Sequence, residues 1–285
     1  MPIEDWVQSS GWVLKTVPNM FATLSSKPHS VRKRMISNVY SKSYIQSSQA
    51  SKCQMTEILL NRVLPALRTS SLPANGNLAH SDIEVFRLFL AIAMDLITAY
   101  IFGLSGGTDF ITQESYRRDW QEMYLARANY PFCIQEVPKL TAFCTNWFPW
   151  FRVYPEWVDK SNAELSRWNW NLYENVKNQR NGLNEGGKRN DADEPVVYDA
   201  LEAGIDRESK VNGESSVLYT TSILQRDQAI ASELMDHSLA GQETAGIALA
   251  YATWHISRSP KLQQQLRDEI ALLELLLKFN LILTT

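Results

Sequence analysis

The chain is poor in the groupings that mark the commonest metal and nucleotide chemistries. It has three cysteines, Cys53, Cys133 and Cys144, in 285 residues. They are odd in number, irregularly spaced and form no CxxC pair, which argues against a zinc site or a disulfide framework and suits a reducing compartment. No His-Glu-x-x-His and no Gly-x-Ser-x-Gly occurs, so a zinc protease helix and a serine-hydrolase elbow both lack support. Gly103-Leu104-Ser105-Gly106-Gly107 follows a helical pattern instead of a strand, and Gly186-Gly187-Lys188 has no Ser or Thr after it, so neither reads as a phosphate loop. No charge of one sign dominates: the net charge is −3, which gives no global pull toward nucleic acid. Met1-Pro2-Ile3-Glu4-Asp5 is acidic with no long apolar run behind it, unlike a signal peptide. The most apolar stretch, Val85 to Leu104, is broken by Arg87 and Asp95. A membrane span needs about 20 predominantly apolar residues, so a buried helix is expected there and no transmembrane helix elsewhere.

What the sequence does hold is apolar and aromatic: 45% hydrophobic residues, with nine Trp and eleven Tyr. Its most organised stretch runs from Asp227 to Ser257 and reads as one long helix. No Pro interrupts it, and Ile230, Leu234, Ala240, Thr244, Ile247, Ala248 and Tyr251 recur at helical spacing. At its middle stands Ala240-Gly241-Gln242-Glu243-Thr244. A mid-helix Gly costs roughly 1 kcal/mol against Ala, so Gly241 calls for a compensating contact. The Thr244 hydroxyl can bond the carbonyl of Ala240, a competition that tends to bend or open a helix. Two readings stand side by side: a buried helix with one tolerated Gly, or a small-residue turn beside a carboxylate and a hydroxyl.

Upstream, Lys27-Pro28-His29-Ser30 opens a helix expected to reach Tyr44, with His29, Lys33, Ile36 and Tyr40 on one face. Lys27, Arg32, Lys33, Arg34 and Lys42 form the densest basic cluster, either a solvated face or an anion site. Further helices are expected over Gln54–Leu67, ending near Pro65, over Ile83–Phe102, stopped by Gly103, over Tyr116–Asn129 and over Ser161–Gln179. Residues 130–157 mix Pro131, Pro138, Pro149 and Pro155 with Trp147, Trp150 and Trp157, fitting short helices over an apolar cavity or at a membrane. Residues 181–195 read as an exposed loop, Pro195–Ala203 as a short helix and 204–216 as loop. Ser259 and Pro260 start a last helix in which Leu262, Leu266, Ile270 and Leu273 form a buried stripe. From Ala271 the pattern turns Leu-rich.

Taken together, these segments resemble the central portion of the cytochrome P-450 monooxygenases, in the manner of a fungal-type, membrane-bound member. The match lies in Ala240, Gly241, Glu243 and Thr244 of the long central helix, in Trp254-His255 and Ser257 to Pro260 after it, and in the basic helix and the run Ile83 to Phe110 before it. Ala245 departs from the usual Thr or Ser. The resemblance implies a mainly α, partial cytochrome P-450 fold with little or no sheet over residues 1–272, and an atypical tail over 273–285. It implies a haem cofactor and an apolar organic substrate hydroxylated with molecular oxygen. Glu243 and Thr244 would serve catalysis, and Ala240 and Gly241 would leave room over the ring. His29 and Lys33 would face the haem propionates, with Lys33 where Arg is usual and Arg32 or Arg34 as substitutes. By the same resemblance the partner is an NADPH-dependent reductase, with no nucleic acid, and the place is the cytosolic face of the endoplasmic reticulum membrane in secondary metabolism. Without an anchor, the chain would be cytoplasmic.

An intact member would also carry a membrane anchor, a small sheet, a Glu-x-x-Arg helix and a Cys loop whose thiolate ligates the iron. Glu114 to Arg117 and Glu164 to Arg167 read Glu-x-x-Arg but precede the central helix, and no cysteine here sits in such a loop, so the three thiols are expected to be buried. A fragment inactive on its own is therefore expected. The alternatives are a non-catalytic helical interaction or lipid-binding remnant, and a metal pair at Glu233 and His237, weighed against a solvated helix end.

Overall fold

The computed structural model describes residues 17–71, 83–126, 136–147, 153–183 and 190–283. Among them every regular element is helical and no strand occurs, as the mainly α expectation requires. The helices are α1 (Ser26–Ile36), α2 (Lys42–Ser47), α3 (Gln49–Ile58), α4 (Leu64–Ser71), α5 (Val85–Phe102), α6 (Glu114–Ala126), α7 (Pro138–Trp147), α8 (Glu156–Leu183), α9 (Val196–Asn212), α10 (Arg226–Ser257) and α11 (Pro260–Leu283).

The spine is α10. Its first half is buried on all sides: Ile230 and Leu234 join a cluster with Phe102, Tyr173, Val197 and Leu201, while Met235 and Leu239 join a second with Met94, Phe110 and Trp120. Its most extensive neighbour is α5. Two glycines let these backbones approach. A Cβ on Gly241 would lie 2.7 Å from Ile97 Cγ1, and one on Gly246 would lie 2.6 Å from Leu90 Cδ2 and 3.1 Å from Leu90 Cα. This close approach is the compensation that Gly241 called for. Gly246→Ala gains about 1 kcal/mol of helix propensity but overpacks against a backbone that has to move, a cost of roughly 1–3 kcal/mol. A net loss is expected in urea unfolding. Gly241→Ala should lose less, because it meets only a side chain.

The apolar helix α5 is long and apolar enough to cross a membrane by length and composition alone. In this fold its Asp95 is fully buried and wired to the loop after it. Asp95 Oδ1 accepts from Thr108 Oγ1 (2.7 Å) and Phe110 N (2.8 Å), and Oδ2 accepts from Ile111 N (3.1 Å) and Arg62 Nη1 (3.4 Å). Gly103 ends α5 at φ 84°, and a Cβ there would meet the Asp193 carbonyl at 2.5 Å, so only Gly fits. Glu84 caps its start, accepting from Arg87 N at 3.4 Å.

Several sequence expectations are corrected by tertiary contacts. The helix opened at Lys27 stops at Ile36 instead of Tyr44: Val39 is buried, its carbonyl accepts from the Tyr100 hydroxyl, and Ser41 then caps α2 through Tyr44 N. Pro65 does not end its helix. A wide π-turn, Leu59–Val63, precedes it, with Leu64 N donating to the Leu59 carbonyl. Residues 190–195 are no exposed loop but a docked turn. Leu104 N donates to Ala192 O, Ser105 N to Asp193 Oδ1, and Gln54 Nε2 to the carbonyls of Ala192 and Glu194. Residues 204–212 continue α9, held by buried Ile205, before Gly213 turns the chain. The stripe expected to be buried on α11 is mostly open: Leu266 is half-buried, but Ile270 and Leu273 are 57% and 58% exposed. α11 runs through residue 272 without a break. Cys53 and Cys144 are half-buried free thiols, short of the buried state expected, and Cys133 lies outside the described residues.

Candidate functional site

The motif on α10 is presented in two directions. Ala240 and Thr244 are exposed, and the Thr244 hydroxyl donates to the Ala240 carbonyl at 2.9 Å. The helix stays continuous through this bond and is not opened by it. Gly241, one position on, faces Ile97 of α5. Glu243 is half-buried and borders a cavity of about 700 Å³ between α5, α6 and α10, together with Arg87 and Arg117. Both arginines are already engaged, Arg87 with Glu84 at 2.8 Å and Arg117 with Glu114 at 3.5 Å.

The basic helix meets α10 elsewhere. His29 is half-buried, with Nδ1 3.1 Å from the Met20 carbonyl, and Lys33 and Arg34 are exposed. Arg32 is committed to the interior. Its Nη1 donates to Glu233 Oε1 at 3.1 Å and its Nη2 to Thr221 Oγ1 at 3.2 Å, while Met20 N donates to Glu233 Oε2 at 2.9 Å. Glu233 and Thr244 are eleven residues apart, about 16 Å along a helix rising 1.5 Å per residue. The structure therefore joins Ala240, Glu243 and Thr244 on one stretch of α10, and sets Arg32 and His29 near Glu233, while Lys33 is exposed on α1.

That level holds a group of ionisable side chains whose burial sequence reasoning missed. Glu233 and Asp236 are 2% and 6% exposed, so the solvated helix end expected for Glu233 and His237 is a buried helix segment instead. Burial pushes the Glu233 carboxyl up, while the Arg32 guanidinium and the Met20 amide pull it back. Asp236 has no cation of its own among the described residues; burial, and then the Glu233 charge, raise it to about 7. Burial lowers His237 to about 4. Its ring stacks on Tyr40 at 5.2 Å, and neither His237 Nε2 nor Tyr40 Oη has a hydrogen-bond partner among the described residues. The metal pair considered from sequence gains nothing, since no group of three metal-ligating side chains occurs among the described residues. The one signal in the sequence was the i, i+3, i+4 spacing of Glu233, Asp236 and His237, and it did not reveal that Arg32 would close over them.

A haem would need an axial donor facing a face of small residues. Ala240 and Thr244 offer such a face. The two described thiols are on α3 and α7, and neither helix is among those packed on α10. The described residues thus bring no thiolate opposite that face, and they do not enclose a haem.

Over 262 residues the chain is 23% identical to the cytochrome P450 monooxygenase avaI of Aspergillus versicolor, a match covering 90% of this chain and 50% of that protein. It is similar to a P450 monooxygenase. The chain spans about half the length of this curated relative. No protein-family profile matches it, and no solved structure does. The cofactor of the P450 family is haem.

Proposed function

We propose that this chain forms the helical, oxygen-side part of a haem-dependent monooxygenase that hydroxylates an apolar organic substrate, and that these 285 residues do not turn over by themselves. The observation that carries the reading is the exposed Thr244 hydroxyl, tied back to Ala240 beside Glu243, in a chain similar to a P450 over nine tenths of its length. The family's oxygen chemistry resides in its haem, and the contribution of this chain is positional. Thr244 spends its proton on Ala240 and keeps its lone pairs free to accept a bond, so it can hold a water or a ligand hydroxyl on the open face. Glu243, half in solvent, can exchange a proton beside it. Ala240 keeps the face low. An NADPH-dependent reductase as electron donor and the endoplasmic reticulum surface as location are supported by the resemblance alone, as is the assignment of His29 and Lys33 to the haem propionates.

Purified chain mixed with haem, reduced and exposed to CO, is expected to give no thiolate-type Soret band, and a normal band would sink the claim of inactivity. Genomic sequence beyond the codon for residue 272 is expected to encode a Glu-x-x-Arg helix and a Cys loop in some frame. Finding neither would count against the monooxygenase reading itself.

A second reading, a helical interaction or lipid-binding protein, is favoured by one observation. Tyr251 and Trp254 on α10 and Ile270, Leu272 and Leu273 on α11 are each at least half exposed. Apolar surface on that scale marks an association site. Size-exclusion chromatography at several concentrations should show self-association on this reading, and a strictly monomeric peak would exclude it.

A further inference from the structure

The cavity between the start of α5, α6 and α10 has about 700 Å³ of space. Small-molecule sites span about 300–1,000 Å³. Leu88, Leu90, Ile111, Leu125 and Ile247 give it apolar walls, and Phe86 and Tyr124 add two aromatic rings. Five charged side chains border it among the described residues: Glu84, Arg87, Glu114, Arg117 and Glu243. Four of them are committed to one another. Arg87 Nε lies 2.8 Å from Glu84 Oε2, and Arg117 Nη2 lies 3.5 Å from Glu114 Oε1. Arg117 Nη1 also donates to the Phe110 carbonyl at 3.2 Å.

Glu243 is the exception. Its carboxylate has neither an ion pair nor a hydrogen bond among the described residues. The residue is half-buried and lines the cavity, so the carboxylate is neither sealed off from that space nor fully in bulk water. Three carboxylates against two guanidiniums leave the lining with one negative charge. An ion pair formed at a partly buried position is screened less than one on an open surface. The two rings act in the same direction, because an aromatic face attracts a cation. The apolar walls favour a hydrocarbon body behind the charge.

We propose that this cavity binds an organic cation, an apolar ring-bearing body with one protonated amine, whose N–H donates to the Glu243 carboxylate. A neutral molecule of the same shape keeps the apolar contacts and loses the ion pair. An anion meets an uncompensated carboxylate and is rejected. The site is bounded by side chains of α5, α6 and α10 and stands whether or not a haem lies on the Ala240 and Thr244 face.

The test uses the full chain without haem at neutral pH, with calorimetry and ligand-observed NMR. Three probes share one two-ring body: 3,3-diphenylpropylamine, 3,3-diphenylpropanol and 3,3-diphenylpropanoate. The amine is expected to bind saturably, the alcohol about tenfold more weakly and the carboxylate not at all. Glu243→Gln keeps the size of the side chain and removes its charge. It should weaken the amine about tenfold, equivalent to about 1.4 kcal/mol, and leave the alcohol as it was. A merely structural role for Glu243 would move both. Ile247 is 42% exposed and lines the cavity one helical turn from Glu243, so Ile247→Trp should block entry and abolish binding of amine and alcohol alike. The wild-type comparison of the three probes decides even if a variant fails to fold by circular dichroism. The proposal is overturned if the wild-type chain shows no saturable amine binding, or if the alcohol or the carboxylate binds as tightly as the amine. It is equally overturned if folded Glu243→Gln keeps the amine's advantage. None of these results touches the monooxygenase reading, whose own tests are the CO spectrum and the downstream sequence.

Discussion

Arg32→Met is expected to destabilise the chain by about 3–5 kcal/mol, the usual cost of stripping one partner from a buried ion pair. Arg32 and Glu233 side chains are 4% and 3% exposed at 3.1 Å, so neither can turn to water when the other is lost. Without the guanidinium, Glu233 keeps only the Met20 amide and lies beside Asp236. The same guanidinium also holds Thr221, in the turn that leads into α10, so the damage spreads to three segments. The double variant Arg32→Met, Glu233→Met removes both charges and should recover most of the loss, since a well-packed apolar pair is often as stable as a buried ionic one. Urea unfolding of wild type, both single variants and the double variant checks this. A single-variant loss below about 1 kcal/mol, the level of an exposed pair, would show that water reaches the site.

Asp236→Asn is expected to stabilise the chain above pH 7 by about 2–4 kcal/mol and to do nothing for it at pH 4. The folded protein raises this carboxyl to about 7, against 3.8 ordinarily, through burial and then the charge of Glu233. In the fold, therefore, Asp236 holds its proton over a range where the unfolded chain has lost it. Its contribution is most favourable below about pH 4 and fades as pH rises toward 7; every tenfold difference in proton affinity between the two states is worth about 1.4 kcal/mol. His237 works in the other direction. Its folded value of about 4 lies below the ordinary 6.5, so its contribution is intact above pH 6.5 and is lost as pH falls through 4. Between those limits the two slopes oppose each other and the wild type should look nearly flat from this pair. Asp236→Asn unmasks His237, and its stability should climb from pH 4 to 6.5. Tyr40 faces the pair with a phenol that burial raises further, so it stays neutral throughout. A gain from Asp236→Asn that is the same at pH 4 and pH 8 would rule this account out.

Much of the architecture was legible because it rests on local rules. Helical periodicity without Pro placed α10 to within a residue, and a single Gly marked the end of α5. The Thr244–Ala240 bond followed from a four-residue spacing alone. The misjudged places are those where a distant side chain intervened. Tyr100 pulls Val39 out of the first helix, and the Asp193 turn docks on Gly103. Arg32, 201 residues from Glu233 in sequence, turns an apparent solvated helix end into a buried charge site.

The division has a physical basis. Backbone geometry and apolar spacing are encoded within one or two turns of chain, so the sequence by itself determined that this protein is helical, where its long helix runs, and that Ala240, Glu243 and Thr244 share it. Burial and electrostatic environment are set by what packs across from a residue, and that is known only once helices far apart in the chain have met. Only the tertiary structure could decide that Gly241 serves contact with Ile97, that Thr244 stands open, that Asp236 and His237 are driven to opposite protonation preferences, and that Glu243 is left without a partner among the described residues beside one cavity.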